Sequence, residues 1–377
     1  MPVSEVTPQH AQTRLECGAI LIDVREDHER ALGTAVQARG IAKAMLESDP
    51  TPHLPDRDRE ILLICQGGAR SLQAAERLAM LGYRNVASVA GGTSRWIAEG
   101  LPMTEPDAGI DTDFHDRYSR HLKLPEVGIA GQRALEAARV LIVGAGGLGS
   151  PAAFYLAAAG VGTLRLVDDD RIDRSNLQRQ ILHTDARIGS AKVGSAAATL
   201  SALNPRTSVE AIAERLVAGN VEALLEGVDV VVDGADNFAA RYLLNDACVK
   251  LRKPMVYGAV HRFEGQASVF DAGRQRGIAP CYRCLFPEPP PPEAAPNCAD
   301  AGVLGVLPGV IGLLQATETI KLILGIGVPL SGRLLQFEAL AMRFRETRLA
   351  PDPDCVVCAP GKPFPGYIDY AAFCAGS

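Results

Sequence analysis

Residues 138–149 constrain this chain more than any other stretch. An apolar, largely β-branched run, Val140-Leu141-Ile142-Val143, leads straight into Gly144, Gly146 and Gly149 at G-x-G-x-x-G spacing, and an Ala-rich helical stretch over 151–159 follows. Strand, glycine turn and helix, in that order, are the setting in which this motif binds a nucleotide. Gly144 makes the tight turn, Gly146 lets a phosphate approach the backbone, and Gly149 lets helix and strand pack closely. Free amides at the helix N-terminus then face an anion. A second strand over 163–167 ends at Asp168, where a ribose-binding acid falls. The alternative is a glycine-rich turn without a ligand. The motif specifies a nucleotide but not which one.

The 377 residues exceed the usual single-core size, so at least two domains are expected. A net charge of −6 and the lack of a basic run argue against a nucleic-acid partner held by phosphate neutralisation. Residues 1–12 are polar with two prolines, unlike a secretory signal. The apolar stretch 302–327 is broken by Pro308, Gln315, Glu318 and Lys321, which suits a buried helix better than a membrane span. A cytoplasmic protein without a membrane partner is therefore expected. In that setting the nine cysteines read as metal ligands or reactive thiols rather than a disulfide framework.

The chain reads as α/β throughout. Residues 1–105 form a small domain with strands over 19–25, 60–64 and 85–89 and a helix over 72–81. Residues 106–116 are polar, with Pro106 and Gly109, and read as a linker. Residues 117–360 form a second, Rossmann-like domain whose strands alternate with helical stretches, which predicts a mostly parallel sheet. A proline-dense loop spans 287–296, and residues 361–377 read as a surface tail.

Three groups of residues carry chemistry. Cys65 follows a strand and opens the loop Gln66-Gly67-Gly68-Ala69-Arg70-Ser71 before a helix. Loop amides and a helix N-terminus favour a thiolate, and Arg70 adds a fixed positive charge. The competing reading is a buried cysteine before a turn. Cys281 and Cys284, with Cys355 and Cys358, form two C-x-x-C pairs, which suit a closed, structural zinc site better than a redox dithiol. The third group is Asp168, Ser175, Asn176, Arg179, Lys192, Asp236 and Asn237. Two cations and a metal-binding acid suit a triphosphate better than a dinucleotide.

The Cys65 loop, Asp23-Val24-Arg25, Gly91-Gly92 with Trp96, and Gly100-Leu101-Pro102 together resemble the rhodanese family. The resemblance implies a persulfide on Cys65, and four residues between Cys65 and Arg70 resemble the sulfur-carrying form rather than the related phosphatases. Residues 33–45 depart from the family's Gly-His-Ile-Pro-Gly-Ala pattern.

From Arg117-Tyr118-Ser119-Arg120 to Cys358, the chain resembles the MoeB/ThiF family, bacterial relatives of the ubiquitin-activating enzymes. Ser175-Asn176-Leu177-Gln178-Arg179-Gln180, both C-x-x-C pairs, and Cys298 in Asn297-Cys298-Ala299-Asp300 carry that likeness. The resemblance implies adenylation of the C-terminal Gly-Gly of a small ubiquitin-fold sulfur carrier, with ATP and Mg2+. Gly147 would lie in the phosphate turn, Asp168 would hold the ribose, Asn176, Arg179 and Lys192 the triphosphate, and Asp236 the magnesium ion. Arg120 would act across a homodimer, and Cys298 would take part in acyl or sulfur transfer. Relatives with a fused rhodanese usually carry it C-terminally, whereas here it comes first. The expected product is a thiocarboxylate for molybdopterin synthesis, or for thiamine or another such pathway, with a persulfide donor such as a cysteine desulfurase. An NAD-dependent oxidoreductase and a non-catalytic zinc-braced scaffold are the rivals from other classes.

Overall fold

A computed structural model describes residues 3–106, 109, 111–289 and 302–368. The chain divides into two compact units, residues 1–119 and 120–377.

The first unit is built on a five-stranded, all-parallel sheet: β1 (Ser4–Val6), β2 (Ile20–Asp23), β3 (Arg39–Gly40), β4 (Ile61–Ile64) and β5 (Val86–Val89), in the order β1-β5-β4-β2-β3. The period of two explains why β4 reads as an unbroken apolar run. Ile61 and Leu63 enter the core on one face, Leu62 and Ile64 the core on the other. Trp96 fills the second of these cores and donates its indole N–H to the Pro102 carbonyl at 3.2 Å. β1 lies in the stretch that composition marks only as polar. Its pairing with β5 supplies the order that local sequence lacks. Part of the expected linker is also ordered: Asp111 caps the helix Thr112–Tyr118, which buries Phe114.

The second unit holds an eight-stranded sheet: β6 (Arg139–Val143), β7 (Thr163–Val167), β8 (Ser208–Ile212), β9 (Val230–Asp233), β10 (Met255–His261), β11 (Glu264–Phe270), β12 (Arg333–Glu338) and β13 (Arg343–Arg348). The order is β13-β12-β11-β10-β9-β6-β7-β8. From β8 to β10 every pairing is parallel, and β10 to β13 continue as an antiparallel meander. Val140 and Ile142 point into one core, Leu141 and Val143 into the other. The helix Leu307–Leu324 is long and apolar enough to cross a membrane, but Leu307, Ile311 and Ala316 belong to the core cluster that also holds Ala267 and Val269 of β11. Its interrupting Gln315 is fully buried and donates to the carbonyls of Asp233 at 2.7 Å and Val256 at 3.1 Å.

Candidate functional sites

In the first unit the loop after β4 curls around the sulfur of Cys65. The amides of Gly68 and Ser71 donate to Cys65 Sγ at 3.2 and 3.4 Å, and the Ser71 hydroxyl lies at 3.4 Å. Burial raises the energy of the thiolate, yet the Ser71 hydroxyl and the amides of Ser71, Gly67 and Gly68 outweigh it, so the Cys65 thiol titrates below an ordinary cysteine. Ser71 shares a 2.9 Å hydrogen bond with Ser88, equally buried on β5. The loop's outer side is fixed by Gly92, where a Cβ would sit 2.0 Å from the Cys65 carbonyl oxygen. Arg25 forms a buried ion pair with Asp23 at 2.7 Å and reaches the Gln66 side chain and the Gly33 carbonyl. Arg70, expected as a positive charge on the cradle, holds Glu29 with two 2.7 Å bonds, and its charge also interacts with the Cys65 thiolate without a hydrogen bond to the sulfur. Glu29 and Ser88 carried no signal in the sequence, and Ser71 was read only as the end of the loop.

The second unit has a cavity of about 1070 Å³ at the carboxyl ends of its parallel strands, where open α/β sheets bind ligands. Gly144, Gly146, Gly147, Asp168, Arg179, Lys192, Asp236 and Asn237 all line it. Gly144 has φ +92°, and a Cβ there would lie 2.5 Å from the Gly234 carbonyl oxygen. The phosphate turn and the loop bearing Asp236 therefore meet backbone to backbone. Asp168 receives the amides of Ala145 and Asp170, each at 2.8 Å, and burial lifts its carboxyl above the usual range despite Lys192 and those amides.

Lys192 opens the helix Lys192–Leu203 and pairs with Asp170 at 2.7 Å, its side chain almost wholly buried. Asp169 pairs with Arg215 at 3.1 Å. The acidic run at the end of β7 is thus neutralised by cations and amides. Ser175 and Asn176 stand in the short turn Arg174–Asn176, where Asn176 caps the Asp173 amide, and neither lines the cavity. Arg120 is exposed and is likewise not among the lining residues. Cys298 lies outside the described residues.

Buried polar groups that sequence reasoning missed hold this site together. Arg241 pairs with Asp233 at 2.7 Å and donates to the carbonyls of Ala235 and Gly258, bracing the loop that carries Asp236. Their signal was weak, because an arginine three residues into a helix after Asp-Asn reads as a surface residue. His183 bonds the Ala145 carbonyl through Nε2 at 3.0 Å and Ser195 through Nδ1 at 3.1 Å. A carbonyl only accepts, so Nε2 carries the proton. Burial, opposed by that bond, lowers the His183 pKa and keeps the ring neutral. Gln180 is buried beside Gly146, and its side-chain oxygen has no hydrogen-bond partner among the described residues, leaving an acceptor for a ligand.

The four cysteines of the C-x-x-C pairs converge. Their sulfurs all lie within 4.8 Å of one another, with Cys281–Cys355 at 3.6 Å, Cys281–Cys284 at 3.9 Å and Cys284–Cys358 at 3.4 Å. A tetrahedral ion with zinc–sulfur bonds near 2.3 Å needs sulfurs about 3.8 Å apart, so the donor set fits. Apolar Val249, Ala272 and Val357 close around it. Asn245 and Asp246, on the helix Phe238–Lys250, accept from the Tyr282 amide and the Arg283 guanidinium, each at 2.8 Å, which ties the first pair to the cavity's own helix.

Comparison with known proteins follows this division. The ThiF family model matches residues 118–357, and the rhodanese-like domain model matches residues 7–99. A sulfur carrier protein adenylyltransferase of Thermus thermophilus is 50% identical over 260 residues, covering 69% of this chain and 96% of the relative. The probable adenylyltransferase/sulfurtransferase MoeZ of Mycobacterium tuberculosis is 46% identical over 273 residues, covering 72% of this chain and 68% of its own. The crystal structure of E. coli MccB shares the fold at a TM-score of 0.57 and 23% identity, covering 72% of this chain and 79% of that one. The chain belongs to the ThiF family, with a rhodanese-like domain ahead of the ThiF region.

Proposed function

We propose that this protein adenylates the C-terminal Gly-Gly of a small ubiquitin-fold sulfur carrier and supplies sulfur from Cys65, giving a thiocarboxylate. The observation that carries the reading is the cavity wall. The glycine turn, Asp168, Arg179, Lys192 and Asp236 line one space, matching the charge pattern of a nucleoside triphosphate. The carrier carboxylate attacks the α-phosphorus of ATP and pyrophosphate leaves. Arg179, Lys192 and the turn amides offset the charge that develops, and Asp168 orients the ribose. Asp236 would hold Mg2+, which when bound neutralises phosphate charge. Cys281, Cys284, Cys355 and Cys358 would hold Zn2+ as a structural clamp.

The terminal sulfur of a Cys65 persulfide then attacks the acyl carbon, and AMP leaves. The result is an acyl disulfide joining carrier and Cys65. Cys298, as a thiolate, attacks Cys65 Sγ and releases the thiocarboxylate, and the Cys65–Cys298 disulfide left behind needs a cellular dithiol reductant. The persulfide comes from a donor such as a cysteine desulfurase. Arg120 reaches the phosphates in the other subunit of a homodimer, consistent with its exposure and its place outside its own cavity wall. The pathway is molybdopterin synthesis in the cytoplasm. Among domain limits, we place the sulfurtransferase in residues 1–105 and the adenylyltransferase in 117–360.

ATP–pyrophosphate exchange in the presence of a Gly-Gly carrier tests the reading. Exchange that needs the carrier supports it, and a chain that binds ATP but never exchanges refutes it.

A further inference from the structure

Residues 361–377 were expected to lie on the surface, yet residues 364–368 turn back to the nucleotide cavity. Phe364 packs against the apolar shell of the four cysteines, and Tyr367 against the cluster that contains Leu216 and Leu243. The two rings meet edge-on at 5.0 Å, with Lys250 Nζ 5.1 Å from each. The Tyr367 hydroxyl donates to Glu222 at 2.8 Å, and Lys250 reaches the same carboxylate oxygen. Ile368 then lines the cavity.

The charged groups fix which end this is. Asp168 marks the ribose, and the glycine turn, Arg179, Lys192 and Asp236 mark the phosphates, so the base lies beyond the ribose on the side away from them. Residues 214–218 follow β8, the neighbour of β7, and Arg215 ties them to Asp169 beside Asp168. Leu216 and Val217 from this segment and Leu243 line the cavity as an apolar flank. The helix Val221–Leu225, which anchors Tyr367 through Glu222, comes directly after it.

We propose that residues 364–368 form the outer wall of the base end of the nucleotide cavity, with Ile368 contacting the base. This rests on the reading of the cavity as an ATP site. A branched apolar side chain in the same lining as Leu216 and Leu243 suits the flat face of a purine. Such a wall contributes affinity through the base and nothing through the phosphates. Phe364 and Tyr367 are its anchors, and Ile368 is its working surface.

The test compares ATP with inorganic tripolyphosphate, each titrated calorimetrically into the full-length protein, the Ile368→Ser variant, and a chain ended after Lys362. Ile368 is 45% exposed, and removing its contact with the base weakens ATP about five- to tenfold. The shortened chain loses at least as much, and tripolyphosphate affinity is unchanged in both. Unchanged ATP affinity in both variants overturns the wall. So does a parallel loss of tripolyphosphate binding, which marks a general loosening of the fold. A full-length protein that binds ATP no more tightly than tripolyphosphate refutes the ATP reading itself, and the wall with it.

Discussion

Two glycines three residues apart in one turn have opposite reasons to be glycine, and single Ala substitutions separate them. At Gly149 a Cβ would lie 1.8 Å from the Gly144 carbonyl oxygen and 3.0 Å from its carbon. Both are backbone atoms at the join of β6 and the helix Gly149–Ala158, so no side chain can swing aside. Relief requires the helix start and the turn to separate by more than about 1 Å inside a close-packed core. Overpacking typically costs about 1–3 kcal/mol, and a backbone clash belongs at or above the top of that range. The gain in helix propensity from Gly to Ala, up to about 1 kcal/mol, does not offset it. A loss of about 3 kcal/mol lowers Tm by roughly 6–12 °C in a domain of this size.

At Gly146 a Cβ would meet only Gln180 Nε2, at 3.6 Å, an ordinary contact. Gly146→Ala should melt within about 2 °C of the wild type, since it touches nothing strained. Its methyl group stands where a phosphate must approach the backbone, so ATP affinity should fall at least about tenfold. Thermal melting and ATP titration on the two variants suffice. Gly149→Ala with wild-type stability, or Gly146→Ala as unstable as Gly149→Ala, would refute the assignment of one glycine to packing and the other to the ligand.

Metal analysis of protein purified without chelator should find about one zinc per chain, and Cys355→Ser should lose it together with stability, because metal-binding energy is folding energy; zinc-free native protein refutes the clamp. Asp236→Ala and Arg120→Ala should each abolish carrier-dependent exchange, and mixing them should restore part of it; heterodimers that form without rescue place Arg120 in its own subunit's site. The Cys65 thiol titrates below an ordinary cysteine, so its thiolate, and with it the rate of alkylation or sulfur loading, persists at lower pH than for a free thiol. Stability linked to that thiolate is present above the unfolded pKa and lost as pH falls through the folded one. Ser71→Ala removes the hydroxyl bond and should cut the thiolate population near neutral pH about fivefold, shifting the alkylation profile to higher pH; an unmoved profile refutes the cradle. Cys65→Ser should keep pyrophosphate exchange yet make no thiocarboxylate, whereas Cys298→Ser should accumulate the carrier–enzyme conjugate seen by intact mass.

What the sequence made legible was whatever depends on local spacing. The strand–turn–helix at β6 is written in consecutive residues, and so are the loop around Cys65 and each C-x-x-C turn. The convergence of Cys281 and Cys284 with Cys355 and Cys358 was also inferable, because four thiolates in pairs have few other uses. β1 was hidden because a three-residue strand has no periodicity, and only its pairing with β5 orders it. The antiparallel meander β10–β13 was hidden for a related reason. All six residues of β13 are exposed, so it shows no apolar alternation, and its partner β12 fixes its register.

The site's bracing was the least legible part, and the cause is physical. Gln315 and His183 are polar residues whose partners lie far along the chain: Gln315 reaches the carbonyl of Asp233, 82 residues away, and His183 that of Ala145, 38 away. Arg241 finds Asp233 and Ala235 nearby, but Gly258 only across the sheet. Singly, each looks like a surface residue or an interruption in a helix. Once buried, their donors must find acceptors, and the carbonyls they find include those of Ala145, Asp233 and Ala235, at the two loops that bear Gly146 and Asp236. An unpaired buried amide or guanidinium costs more than its bond contributes, so these residues hold the loops in place more firmly than they add to stability. The same logic applies to Arg70. A guanidinium next to a thiolate looks like its counter-ion when only the sequence is in view. In the fold both its bonds go to Glu29, so it acts on the thiolate through its charge alone, and the backbone amides and Ser71 hold the sulfur by hydrogen bonds.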